Sequence, residues 1–343
     1  MGDGMSTDQA ATKPPSITDK MQCDIAEISH TDPELGKILQ SFGNKIVARA
    51  ENETPEPQSS GKVIQLPFWA DPVRGGPNTL LRSAFFAAIH SAKRKELGER
   101  IESGKPKKGV TIAAQEGIRI SYVGDQLNQY DADVFLEALH RARLHPLETH
   151  CLFTGYSFLN AIGRAVGKRE YEDLDDSLTR LRDGRVEIRC KVNGSSCKFV
   201  GGLISSYKRE DNSKLHKVTF AKEIIALFAP ACWTQLEWEE RMALKGKPLA
   251  QWLHSFYSTH AAPFPLSAAY LHQKTGSTRP LLKNFRTDLK NALATLEKVL
   301  GWKATWDRGL LTLHRPPSAS QARHLRDPKR RRLLKIKPKE LTP

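Results

Sequence analysis

Four cations recur in this chain at the spacing of one helix face: Arg279, Lys283, Arg286 and Lys290, at steps of four, three and four. Asn284 and Thr287 lie beside them. Guanidinium, ammonium, amide and hydroxyl groups in one stripe can hold phosphates and read base edges. The stripe needs a buried back, and Leu281, Phe285, Leu289, Ala292, Leu293 and Leu296 supply one at steps of three and four. The spacing predicts a helix from about residue 278 to 300. A shorter helix over 266–274 precedes it, and Thr275, Gly276 and Ser277 form the turn between them. Ser277 or Thr278 is expected to cap the second helix, placing the cations in its first turns. A helix with a buried back and a basic front is the shape of a DNA-reading helix. The competing reading is a solvated charged face on an ordinary surface helix, and the rest of the chain must decide between them.

The 343 residues carry a formal net charge of +15 and a pI near 9.6. The length allows two domains plus tails, and the charge favours an anionic partner, nucleic acid first and a membrane surface second. No apolar run approaches the roughly 20 residues of a membrane span. The first twenty residues are polar, so no export signal is expected. Residues 1–60 hold ten Asp/Glu against five Lys/Arg, and residues 315–343 hold ten Lys/Arg against Asp327 and Glu340. The middle is therefore basic in its own right. Cys23, Cys151, Cys190, Cys197 and Cys232 show no C-x-x-C spacing, and free thiols are expected. A two-residue hairpin at Asn193–Gly194 would set Cys190 opposite Cys197.

In chain order, 1–60 reads as a disordered acidic leader. Gln65, Leu66, Pro67, Phe68 and Trp69 follow, within a segment 61–76. This apolar tag is either an arm packed on the first domain or a peptide that docks into a partner. From 77 to 220 the expected order is a strand or short helix over 80–89, the basic cluster Lys93, Arg94 and Lys95, and a strand at 118–123. Helices at 131–144, 157–163 and 168–181 come next, with a short strand at 150–153. Strands at 186–192, 198–206 and 215–220 close the unit. This is the order of a winged helix, a helix-turn-helix variant with a trailing β wing. The order recurs over 221–314, with a helix at 249–259, the opening helix pair, and a hairpin of 302–306 with 310–314. Lys303 and Arg308 sit on that second wing. Residues 315–343 form a basic tail. The expected fold is therefore α+β: two tandem winged-helix domains between an acidic leader and a basic tail. The first domain's long helix carries Glu170, Glu172, Asp173, Asp175 and Asp176, which would oppose phosphates. Base reading is assigned to the second domain, and backbone or protein contacts to the first, through 93–95 and 105–108.

At this point the residues match a family. The chain resembles the TrfA-type plasmid replication initiators, iteron-binding proteins with two winged helices. The match rests on Pro77–Asn78, on Leu81 to Phe86, and on Tyr122–Val123–Gly124 with Gln126 to Asp131. It continues with the aromatic helix before Pro263 and with Gly276 to Arg279 leading to Lys283, Phe285 and Arg286. The resemblance implies binding to direct repeats (iterons) in double-stranded DNA at a plasmid origin, help in opening the duplex, and recruitment of the host replicative helicase and sliding clamp. It also implies a homodimer in equilibrium with monomer, plasmid copy control and a bacterial cytoplasmic location. Gln65, Leu66, Phe68 and Trp69 occupy the place of the family's clamp-binding peptide. The DNA-contacting set is Ser277, Thr278, Arg279, Lys283, Asn284, Arg286, Thr287, Lys290, Lys303 and Arg308.

Enzyme chemistry is not expected. There is no G-x-x-x-x-G-K-[ST] nucleotide loop and no H-E-x-x-H. His140, His145 and His150 do not converge simply, so neither metal nor cofactor is expected, and no residue is assigned a catalytic role. A winged-helix transcriptional repressor remains the alternative, with a rolling-circle nicking enzyme behind it.

Overall fold

The computed structural model describes residues 66–98, 109–115, 117–144, 150–192, 195–210, 214–228 and 232–326. The acidic leader, Gln65, the basic stretch 105–108, the Asn193–Gly194 turn and the basic run 329–337 lie outside the described residues.

The first elements are β1 (Val73–Pro77), α1 (Asn78–Leu81), β2 (Glu96–Leu97), β3 (Val110–Ile112) and β4 (Ile118–Asp125). The 14-residue helix α2 (Gln129–Ala142) starts at a capping box: the Asn128 side chain accepts from the Asp131 N–H, and Asp131 accepts from the Asn128 N–H. Asp131 is fully buried, and Arg94, Arg180 and Ser177 also donate to its carboxylate. A buried charge so surrounded keeps its hydrogen bonds. Arg94, expected as a backbone contact, is therefore engaged inside the fold.

β5 (His150–Thr154), α3 (Gly155–Ala161) and α4 (Lys168–Asp183) follow, with Leu174, Leu178 and Leu181 buried at helical spacing. Next come β6 (Arg185–Val192), β7 (Ser195–Gly201), β8 (Ile204–Glu210) and β9 (Leu215–Phe220). The β6–β7 register places Cys190 opposite Cys197, as the two-residue turn requires. The sequence reading of one strand over 198–206 is corrected. The chain changes sheets at Gly201–Gly202, so that β6 and β7 extend a sheet ordered β2-β4-β6-β7 while β8 joins a separate sheet ordered β5-β9-β8. The hairpin closing the first unit is thus β8–β9, and the Asn-Gly hairpin is an insertion.

The second unit begins with β10 (Trp233–Glu237), α5 (Trp238–Ala243) and α6 (Pro248–Ser258). β11 (Leu266–Ser267), α7 (Ala268–Lys274), α8 (Leu282–Leu300), β12 (Lys303–Asp307), β13 (Leu310–His314) and α9 (Ala319–Arg326) complete the described chain. The helix expected at 266–274 is shorter: its first two residues pair with β13, and Ser267 caps α7 by accepting from the Tyr270 N–H. The sheet order β11-β13-β12 repeats β5-β9-β8. Both units run strand, short helix, long helix, hairpin, and in both the leading strand pairs with the second hairpin strand.

Two apolar cores result. One extends from Leu66 to Trp238, the other from Leu244 to Leu313. Ile224, Phe228, Leu236 and Trp238, placed by sequence in the second domain, pack in the first core, and β10 pairs with β1. Arg241, fully buried, joins the cores. Its Nε donates to Asp133 of α2 at 2.6 Å, Nη1 to Ser255 of α6 at 2.6 Å, and Nη2 to the Gln129 side chain at 3.1 Å. Trp252 Nε1 donates to the Ser83 carbonyl at 3.0 Å and Arg82 Nε to Thr259 Oγ1 at 2.7 Å. Gly276 has φ +62 and approaches Ala84 and Ala87 so closely that an added Cβ would sit 3.1–3.2 Å from theirs, which glycine alone meets without strain.

Candidate nucleic-acid interface

α8 is amphipathic as its spacing requires. Phe285, Leu289, Ala292, Leu293 and Leu296 are buried in the second core, whereas Lys283, Asn284, Arg286, Thr287 and Lys290 are exposed. Two expectations about its start are corrected. Leu281, placed in the apolar stripe, is 61% exposed. It is also the N-cap itself, with no side-chain cap, so neither Ser277 nor Thr278 caps the helix. Pro280 is the physical reason. A residue before proline is pushed out of the helical region, so Arg279 cannot be helical. The first turn holds no carboxylate and leaves its N–H groups without a side-chain partner, an arrangement that favours an anion there.

Arg279 consequently reaches the basic face from the preceding loop rather than from the helix. Its guanidinium meets Asp288 on the flank of α8, Nε to Oδ2 at 2.6 Å and Nη2 to Oδ1 at 3.2 Å. That carboxylate holds the guanidinium pKa above its ordinary value. Ser277 Oγ accepts from the Arg279 N–H at 3.2 Å. Lys283, Arg286 and Lys290 make no ion pair among the described residues. The Thr287 hydroxyl turns back to the Lys283 carbonyl at 3.4 Å. Lys303 and Arg308 are exposed on the β12–β13 hairpin, whose tip residues Arg308 and Gly309 both have positive φ, 47° and 81°. That pair suits the right-handed strand twist.

A cleft of about 370 Å³ runs beside this face, and Ser277, Thr278, Arg279 and Asp288 line one side of it. His90 and Lys93 from the first unit and Lys247 from the loop before α6 are among the other residues that line it. Sequence reasoning passed over Asp288 and Lys247. Asp288 was visible as the only carboxylate between 279 and 296, but the partner it finds is fixed by the loop.

The long helix of the first unit is acidic as expected, with Glu172, Asp173 and Asp176 exposed. Asp175 is engaged with Tyr207 and with Arg209. Among the described residues no group of three or more His, Cys, Asp or Glu is arranged to hold a metal, and no helix is long and apolar enough to cross a membrane.

The segment 66–70 packs against the first core rather than standing free. Trp69 is 1% exposed, stacked on Phe228 at 6.0 Å between ring centroids, and its Nε1 donates to His140 Nδ1 at 2.9 Å. Leu66 is buried, whereas Phe68 is 72% exposed, with Arg143 over its ring. Of the residues expected to dock a partner, only Phe68 among those described is presented to solvent. Burial and the neighbouring Arg74, Arg143 and Arg141 hold His140 down at a pKa of about 3. It is therefore neutral, and its Nδ1 is free to accept the indole proton.

Comparison with known proteins places the chain. It is 25% identical over 237 residues to the plasmid replication initiator protein TrfA of Escherichia coli, across 66% of this chain and 58% of that protein. The chain thus spans little more than half the length of this relative. Among solved structures it is similar to domains 2 and 3 of RctB, at 11% identity and a TM-score of 0.45, over 69% of this chain and 97% of that one. It is also similar to the Pi initiator protein solved in complex with iteron DNA, at 13% identity and a TM-score of 0.40, over 53% and 88%. Likenesses this distant do not carry the assignment. A family model does: the one described as TrfA protein matches residues 55–308, well over half of the chain, which therefore belongs to the TrfA family.

Proposed function

We propose that this chain is a plasmid replication initiator that binds direct repeats at its origin through two winged-helix modules. In this reading α8 enters the major groove and the β12–β13 wing lies along the backbone. The observation that carries it is the exposed front of α8. Among the described residues Lys283, Arg286 and Lys290 have no ion-pair partner, and they stand beside Asn284 on a helix whose opposite face is buried. Three like charges on one helix face repel one another, and phosphates relieve that repulsion. Membership of the TrfA family supplies the biological setting. The protein acts by binding: it breaks no bond, needs no cofactor, and recruits the host helicase and sliding clamp to the opened origin, acting there as the monomer of a monomer–dimer equilibrium.

A nuclease-protection footprint of the purified chain on DNA flanking its own gene tests this. Regularly spaced protected direct repeats are expected; a single palindrome means a repressor, and divalent-metal-dependent strand cleavage means an enzyme. Replacing Lys283 or Lys290 by Ala should weaken binding evenly across sequences and flatten the slope of log K against log salt by about 0.9 each. Arg286→Ala should instead relax specificity at one base pair, worth about 1–3 kcal/mol.

A further inference from the structure

Arg279 is held at its N–H, its carbonyl and its guanidinium. Its N–H donates to Ser277 Oγ at 3.2 Å, and its carbonyl accepts from His272 Nε2 at 2.8 Å. His272 is in turn packed on Phe285 of α8, 4.6 Å between ring centroids. Pro280 locks the next φ. The side chain then reaches Asp288, nine residues on, through both of that carboxylate's oxygens. Asp288 has no partner for an ion pair along its own helix. Its helical neighbours at three and four residues are Asn284, Phe285, Asn291 and Ala292, none of them a cation. A bare carboxylate beside a phosphate-binding face would oppose binding. The fork matters because of which edge it uses. Asp288 takes the edge formed by Nε and Nη2. A guanidinium carries five N–H donors in a rigid plane, so the end edge formed by Nη1 and Nη2 stays free. That end edge matches the O6 and N7 acceptors of guanine.

We propose that Asp288 is the positioning residue for specificity: it holds Arg279 in the orientation that reads a guanine in the bound repeat. The inference rests on the DNA-reading assignment of α8. Preorganisation removes the entropy of fixing a long side chain at the moment of binding, and it ties discrimination at one base pair to a carboxylate that touches no base. Charge alone would make Asp288 harmful; orientation makes it useful.

The test uses the full chain with duplexes carrying the protected repeat, the same repeat with each guanine replaced in turn, and an unrelated duplex, all at one salt concentration. Wild type, Arg279→Ala, Asp288→Ala and the double variant are compared by competition. Arg279→Ala should lose roughly 5- to 150-fold discrimination at one guanine. Asp288→Ala should lose most of that factor at the same guanine while binding the unrelated duplex as tightly as wild type or more so. The double variant should be no worse than Arg279→Ala alone, the signature of residues acting as one unit. Full discrimination in Asp288→Ala, or an equal gain in affinity on every duplex, overturns the proposal, because Asp288 would then merely restrain a phosphate contact. Uniform weakening by Arg279→Ala also overturns it yet leaves α8 as the reader through Arg286. Absence of any repeat preference in the wild type removes the functional reading itself.

Discussion

Trp69→Ala separates a packed arm from a detachable docking peptide. The indole is 1% exposed and lies against the backbone of Gly75 so closely that an added Cβ there would meet three ring atoms at 2.8–2.9 Å. Removing it empties a site bounded by Phe228, Trp233 and β1, and a Trp→Ala change of this kind costs about 3–5 kcal/mol. The variant also leaves His140 Nδ1 without its donor. Against a typical domain stability of about 5–15 kcal/mol the loss is large. Phe68→Ala, one residue away on an exposed ring, should cost no more than about 1 kcal/mol, the scale of an exposed cation–π contact. Urea denaturation followed by circular dichroism measures both. Gly75→Ala supplies a control: it should destabilise wild type by about 1–3 kcal/mol through overpacking and cost much less once Trp69 is Ala, because the clash is with that ring. If Trp69→Ala stays within about 1 kcal/mol of wild type while clamp association is lost, the arm is an exchangeable peptide and the packing argument fails.

Two further outcomes follow from buried polar groups. Arg241→Ala strands the buried Asp133 carboxylate and should cost about 3–5 kcal/mol; Arg241→Met with Asp133→Leu should recover much of the loss in the same denaturation assay, and no recovery would mean the pair does more than neutralise itself. His140 has a folded pKa of about 3 against 6.5 when unfolded, so only the unfolded chain takes up protons as pH falls below 6.5 and stability drops. At pH 5 the loss relative to pH 8 is about 2 kcal/mol from this group, and His140→Gln should remove that increment from the pH dependence; an unchanged pH profile would show that His140 is not held neutral.

What the sequence disclosed, and what it concealed, follows from the range of each interaction. The buried stripe of α8 was legible because a period near 3.6 is a local property. The start of α8 was misread because Ser277 and Thr278 are good caps by type, although Pro280 carried the contrary signal by forbidding a helical Arg279. The Asn-Gly pair in the sequence predicted the register found between β6 and β7, but a hairpin does not choose its third strand. The sheet change at Gly201–Gly202 depends on contacts distant in sequence, since a Cβ at Gly202 would lie 2.3 Å from the Arg182 carbonyl. The arm was ambiguous because an aromatic anchor in a core and one in a partner's pocket have the same composition. Gly75 in β1 was the available clue, as room left for a ring. The two residues of the expected helix that moved, Arg279 from its basic stripe and Leu281 from its apolar one, are those nearest the loop, whereas the cations within α8 fell where periodicity placed them.

Many of the residues on which the family resemblance rests lie away from the proposed reading face. Arg82, Ser83, Phe86, Gln129 and Gly276 are all at the join between the two cores. Arg82 binds Thr259, the Ser83 carbonyl receives the Trp252 indole, and Gln129 bridges the Phe86 carbonyl and Arg241. The Ala88 N–H closes the join by donating to the Thr275 carbonyl at 2.7 Å, at the foot of the loop that carries Arg279. A buried ion pair such as Arg241–Asp133 is poor evidence for stability, but with five hydrogen-bonding groups converging on one guanidinium it leaves a single relative placement of α2 and α6. That placement sets where the cations of α8 stand with respect to the first unit. Much of the resemblance therefore resides in the geometry that joins the two units, and the rest, Arg279, Lys283 and Arg286, lies on the proposed reading face.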